Sequence, residues 1–378
     1  MDIVCFSHLR WNFVYQRPQH LFSRFARHFR AFFIEEPIFD SEKPFLDNTL
    51  STEGVWIVVP HLPPGLGDEE INNHQQKLLQ DFFTYFKITK YIFWYYTPMA
   101  LAISGSFSPL LVVYDCMDEL SAFKNAPAAL KQQEAELFAL ADLVFTGGHS
   151  LYEAKKNLHA AIYPFPSSID YRHFSKARSA MLTPIDQFSI PSPRIGFFGV
   201  IDERMDISLL DAIAQQRPDW HFIIIGPVVK IDPATLPGHA NIHYLGSKTY
   251  EELPVYLAGW DVAMMPFAIN ESTRYISPTK TPEYLAGGKP VVSTAIHDVM
   301  NPYGERGLVY IANSPAEFIE GIEQELNMKD AEVWLKAVDA FLAQNSWDIT
   351  SEKMMYHMNT KLEAKQYNTL TPKENEYV

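Results

Sequence analysis

The residues best suited to chemistry stand in one short stretch. Ser277, Pro278, Thr279, Lys280 and Thr281 bring hydroxyls, turn geometry and one positive charge together, and Pro282 follows at a place suited to the first position of a helix. A helix start presents free backbone N–H groups and the positive end of the dipole, an environment that suits an anion such as a diphosphate, and Lys280 adds charge to it. Glu283, in the first turn, disfavours phosphate but can accept two hydrogen bonds from ribose hydroxyls. Gly287 and Gly288 end that helix, and Lys289-Pro290 leads into an apolar strand.

Other candidates fall just after apolar runs. Gly199 allows a backbone to approach a diphosphate closely or simply makes a tight turn, and Arg204 is the nearest fixed positive charge. Gly226-Pro227 and Leu245-Gly246 also follow strand-like segments, at the carboxyl ends where open α/β sheets bind ligands, although packing explains Leu245 equally well. Near the start of the chain His8, Arg10, Trp11, Arg17 and His20 cluster behind the first apolar run, as a surface for a polar or anionic acceptor would. Asp115 and Asp118 follow a later run; either is a candidate base for an acceptor hydroxyl, Asp118 is also a candidate helix cap, and His8 joins the two carboxylates as a catalytic candidate.

The elements that must position these residues alternate strand with helix. The segments DIVCFSH at 2–8 and RIGFFGV at 194–200, about 190 residues apart, share one form: an apolar run, a loop, then a helix-period stretch. After the first, Leu21, Phe22, Phe25 and Phe29 mark an amphipathic helix within 16–29. Strands are predicted at 31–34, 55–59, 91–95, 110–114 and 143–145, with a helix at 128–141. After the second, strands are predicted at 195–198, 222–225, 242–244, 262–265 and 291–294, with helices at 207–216, 250–258 and 282–286. Such alternation means parallel sheets covered on both faces. The stretch 164–193, with prolines, serines and no sustained periodicity, reads as a hinge. The expected domains are 1–170, which would present the acceptor, and 171–347, which would bind the donor. A helix at about 348–370 would pack back on the first, and the polar last dozen residues would fray.

At this point a resemblance is definite. SPTKTPEYLAGGKPVVST, preceded by DVAMMPF at 261–267, is similar to the donor-site signature of bacterial group 1 glycosyltransferases (family 4), and SHLRWNFVYQRPQHL with YDCMDELSAF resembles a teichuronic-acid and capsular-polysaccharide branch. The overlap runs over most of the chain, through Ser346-Trp347-Asp348. The resemblance implies the GT-B fold, two Rossmann-like α/β domains facing across a cleft, and a glutamate at Glu283 on the donor ribose with the preceding turn on its phosphates. It also implies loops around 226–227 and 245–246 on the nucleobase and UDP as the nucleotide. One departure stands out: where the wider family often carries a second glutamate, eight residues earlier, this chain has Tyr275, and the nearby Glu271 does not fit the spacing.

The expected activity is therefore transfer of a sugar, with retention, from a nucleoside-diphosphate donor to a glycan or lipid-linked acceptor in cell-surface polysaccharide synthesis. A nucleotide-sugar 2-epimerase of the same fold and a non-catalytic sugar-nucleotide binder are the alternatives. Composition narrows the field further. With 378 residues, 47% of them hydrophobic, the chain suffices for two cores. A formal charge of −14 argues against a general nucleic-acid binder. Neither a Walker loop nor G-x-G-x-x-G follows any candidate strand. Cys5 and Cys116 sit in apolar runs, which with the leaderless start MDIVCFSH predicts a reducing cytoplasm. Two carboxylates without histidine or thiolate support are weak metal ligands, so no metal or other cofactor is expected. Arg24, Arg27, His28 and Arg30 read as a solvated helix face or as a contact with the inner face of a membrane.

Overall fold

The computed structural model describes residues 1–124 and 126–370. The polar end beyond residue 370 lies outside the described residues.

The first domain is built on eight strands, β1 (Asp2–Phe6), β2 (Arg30–Ile34), β3 (Phe45–Leu50), β4 (Val55–His61), β5 (Tyr91–Tyr95), β6 (Leu111–Cys116), β7 (Leu143–Thr146) and β8 (Ile162–Pro164). They lie in the order β3-β4-β2-β1-β5-β6-β7-β8. Six further strands form the second sheet: β9 (Arg194–Phe198), β10 (His221–Ile225), β11 (Ile242–Tyr244), β12 (Val262–Met265), β13 (Val291–Thr294) and β14 (Tyr310–Ala312), in the order β11-β10-β9-β12-β13-β14. Every residue of β1, β5, β6, β7, β12 and β13 is buried, as continuous apolar runs in a sheet covered on both faces must be. Chain order reverses beside β1 and again beside β9, and at such reversals the loops beyond the strands part to leave a crevice.

One strand breaks the parallel pattern. Strand β3 pairs antiparallel with β4 at the edge of the first sheet; its sequence FLDNTL is almost wholly exposed and has no apolar run to announce it. The helix at the donor motif begins at Lys280, two residues before Pro282, with Thr279 at its cap position in helical backbone geometry and making no capping hydrogen bond; Gly287 caps its end, and Gly288 follows with φ +74°.

After the second domain the helix Trp347–Leu370 returns to the first. Trp347, Met354, Met358 and Leu362 join Ile3, Cys5, Trp94 and Val113 in a single core. The two chain crossings between the domains lie side by side. Ile169 N–H donates to Asn345 (3.0 Å), Trp347 N–H donates to Ile169 (3.2 Å), and the Ser168 and Thr350 hydroxyls are 2.7 Å apart. Among the described residues no helix is long and apolar enough to cross a membrane.

Candidate active site

A cleft of about 660 Å³ separates the carboxyl ends of the two sheets. Its second-domain wall holds Gly199, Arg204, Gly226, Pro227, Thr279, Lys280 and Glu283. Gly199 (φ +145°) and Gly226 (φ +140°) have backbones that side chains rarely adopt, and a Cβ on Gly226 would lie 1.9 Å from the Gly199 carbonyl oxygen. The two loops therefore press together, and Lys280 lies along the space that a Gly199 side chain would fill.

Lys280 and Glu283 stand on one short helix, three residues apart and facing the same cleft. Neither forms an ion pair closer than 4 Å among the described residues, and the Glu283 carboxylate has no hydrogen-bond partner there. Burial lowers the Lys280 pKa, with the Arg204 charge acting in the same direction, and burial raises that of Glu283. Arg204 places Nε and Nη2 on Asp202 (2.7–3.1 Å), which leaves its Nη1 without a protein partner among the described residues. The Phe123 ring of the first domain lies 5.7 Å from the Arg204 guanidinium.

A smaller recess of about 90 Å³ opens beside the cleft, sharing Gln16, Val200, Arg204, Thr279 and Lys280 with it. Asp118, Arg17, Ser277 and Pro278 line this recess. Burial raises the Asp118 carboxyl to about 6, against the opposing pull of Arg204 and Arg17. A carboxylate so tuned can take a proton near neutral pH.

Several of the expected site residues are occupied elsewhere. Thr281 is fully buried, its hydroxyl 3.4 Å from the Met265 sulfur, and so faces the interior rather than a phosphate. Leu245 and Gly246 lie outside the cleft lining, which the same loop reaches through residues 247–251. Ser277 bonds across the domain boundary to Ser167.

In the first domain the proposed acceptor cluster is largely spent on structure. Arg17 grips Asp115 with Nε and Nη2 (2.8–3.2 Å) and donates to the Phe165 carbonyl (2.7 Å). Asp115, fully buried in that grip, cannot reach an acceptor hydroxyl and is not the base. His20 is buried and stacked 4.8 Å from Trp347, which makes it a packing residue with no face for an acceptor. Arg10 pairs with Glu35 at 2.9 Å and reaches the Glu36 carbonyl at 2.6 Å. Trp11 packs edge-on against Phe33 (5.1 Å) and touches the cleft. His8 is held neutral by burial, its pKa lowered to about 4, and lines neither cavity. The basic cluster is engaged too: Arg24 and Arg27 reach Asp348 (2.7 and 3.8 Å), and Arg30 reaches Asp2 (2.9 Å).

Residues that sequence reasoning passed over complete the cleft. The loop 11–16 and the hairpin tip 49–53 close its first-domain side, and Tyr250 stacks on Tyr15 (4.3 Å) across the domain boundary with its hydroxyl unpartnered. The continuous 245–251 loop was a usable signal for Tyr250; the exposed hairpin offered none. Tyr275, at the place of the family's second glutamate, packs against the first-domain core and lines neither cavity. Among the described residues no group of three or more His, Cys, Asp and Glu is placed to hold a metal ion.

Two parallel-sheet domains with a polar cleft between their carboxyl ends define the GT-B class, and solved structures agree. The E. coli trehalose-6-phosphate structure bound with UDP-2-fluoro glucose superposes with a TM-score of 0.68 at 12% identity, over 96% of this chain and 99% of that one. Sucrose-phosphate synthase from Thermosynechococcus elongatus gives 0.69 at 13%, over 96% and 99%, and Anabaena HepE in complex with UDP gives 0.68 at 15%, over 95% and 100%. Residues 192–328 match the model of the family described as glycosyl transferases group 1. A provisionally assigned teichuronic acid biosynthesis glycosyltransferase of Bacillus subtilis (strain 168), TuaH, is 24% identical over 290 residues, 72% of each chain.

Proposed function

We propose that the chain transfers a sugar, with retention, from a UDP-sugar to a glycan or lipid-linked acceptor in cell-surface polysaccharide synthesis. The observation that carries this reading is the pair on the helix Lys280–Ala286: a cation and a carboxylate, neither hydrogen-bonded nor ion-paired through its side chain among the described residues, side by side at the wall of an interdomain cleft. A diphosphate meets Lys280 and the free Nη1 of Arg204, and the ribose hydroxyls donate to Glu283. As the bond between the anomeric carbon and the β-phosphate oxygen breaks, negative charge gathers on that oxygen, where Lys280 and Arg204 stabilise it. The acceptor hydroxyl enters from the recess, which shares Lys280 and Arg204 with the phosphate, on the face from which the phosphate departs, so that Asp118 takes its proton as the new glycosidic bond forms with the configuration retained. UDP is the nucleotide named in two of the superposed structures, and the polysaccharide context follows the TuaH likeness.

The test is direct. A panel of UDP-sugars and other sugar nucleotides is incubated with the protein, and nucleotide release is measured together with the anomeric configuration of the product by NMR. UDP release and an unchanged anomeric configuration are expected. Thermal stabilisation by UDP-sugars without any release would favour the second reading, a non-catalytic binder, which gains support from Tyr275 standing where the family often has an acid.

A further inference from the structure

The helix His149–Lys155, at the end of β7 in the first domain, starts on Gly148, which has no side chain to cap it. Two of its leading amides are satisfied from the other domain. Asp298, buried just beyond β13, accepts from His149 N–H with Oδ2 (2.8 Å) and from Ser150 N–H with Oδ1 (2.9 Å), partners 149 and 148 residues away along the chain. Its Oδ1 also lies 3.2 Å from His297 Nδ1. The approach depends on Gly148, since a Cβ there would sit 2.2 Å from Asp298 Oδ2 and 3.1 Å from the Ser277 Cβ.

The last distance ties this contact to the candidate site. Ser277 bonds to Ser167 of the first domain through both its hydroxyl and its carbonyl, and two residues later the chain reaches Thr279 and Lys280. Asp298 and Ser277 thus seat the turn that carries Lys280 against the recess that holds Asp118. A carboxylate bonded to two backbone amides at a helix start is a charge-assisted contact that the helix dipole strengthens. When the domains part, both amides and the carboxylate lose it together.

We infer that Asp298 is a positioning residue: its carboxylate, by capping a helix of the opposite domain, holds the cleft in the arrangement that brings Lys280 to Asp118. The inference rests on the transferase reading for its kinetic consequence, but not for its physical one.

Asp298→Ala, Asp298→Asn, Gly148→Ala and the double variant Asp298→Ala/Gly148→Ala would be compared with the wild type in amide hydrogen exchange, UDP affinity by calorimetry and UDP-sugar turnover. In Asp298→Ala the His149 and Ser150 amides should exchange at least about tenfold faster, the loss a typical cap confers, while amides in β9 and β12 stay protected. UDP affinity should hold within about twofold, because its proposed diphosphate and ribose contacts lie in the second domain, and kcat should fall about tenfold. Asn keeps one carbonyl acceptor and should fall between. Gly148→Ala, which pushes the carboxylate away from the other side, should reproduce Asp298→Ala, and the double variant should be no worse than either single one. Unchanged exchange at His149 and Ser150 in both single variants, or effects that multiply in the double, would overturn the inference. A wild type that turns over no donor would instead sink the transferase reading, and the exchange data would still decide the role of Asp298.

Discussion

The two domains meet at the cleft with the same architecture and opposite chemistry. On the first-domain side the arginines are consumed: Arg17 by Asp115, Arg10 by Glu35, Arg24 by Asp348. On the second-domain side Lys280 and Glu283 share a helix and form no hydrogen bond or ion pair through their side chains among the described residues, Lys280 resting only over the Phe197 and Phe267 rings, and Arg204 keeps Nη1 without a partner among the same residues. A buried charge needs a partner, so where the fold supplies one the residue is structural, and where it does not a ligand must. Cationic residues near a cleft are therefore informative only after their internal partners have been found.

The comparison can be broken by substitution, and the largest effect is expected on the satisfied side. Arg17→Ala leaves the Asp115 carboxylate buried and alone and should cost about 3–5 kcal/mol of stability in chemical denaturation. Retained stability would mean that Arg17 is free for an acceptor after all. On the unsatisfied side the order inverts: Lys280→Ala should fold normally yet lose about 10²–10³ in kcat, roughly 2.7–4 kcal/mol of transition-state stabilisation. Normal turnover would remove the leaving-group role. Glu283→Gln should weaken UDP by about 10–100-fold, from the ~1.5–3 kcal/mol of a hydrogen bond to a charged group, and should abolish any preference for UDP over its 2′-deoxy analogue. A preference that survives would place the ribose elsewhere.

Two smaller effects sharpen the contrast. If Asp118 is the base it must be ionised, so kcat/KM should rise with pH through about 6 and then level, and Asp118→Asn should erase that limb along with most of the activity. A limb that persists in the variant belongs to another group. Arg10 is the exposed member of its pair and the buried Glu35 keeps the Trp11 N–H as a partner, so Arg10→Ala should cost less than Arg17→Ala, about 1–2 kcal/mol, and leave the acceptor KM unmoved.

The fold was legible because apolar runs of four to six residues, separated by helix-period segments, leave little choice but covered parallel sheets. The exposed strand β3 and the Asp68–Tyr85 helix, with its largely polar sequence, carry no such run and escaped. In the cleft wall, the juxtaposition of Lys280 and Glu283 was readable because both lie in one contiguous motif whose local geometry the sequence sets. His20 and Asp115 were misread for a common reason: sequence places a residue at the end of a strand or in a helix but does not say what will lie over it. Trp347, which covers His20, comes from 327 residues further along the chain, and Arg17, which grips Asp115, lies 98 residues before it.

The paired crossings at Ile169 and Ser346 carry a mechanical consequence. Two adjacent strands of chain, bonded to each other and clamped by a returning helix, resist twisting as a single tether would not, so rotation is confined to an axis running across the pair. Cutting either crossing alone would leave both halves attached through the other. Limited proteolysis in the irregular segment 179–184, where no residue is buried, should therefore yield a nicked molecule that still migrates as one particle until it is denatured.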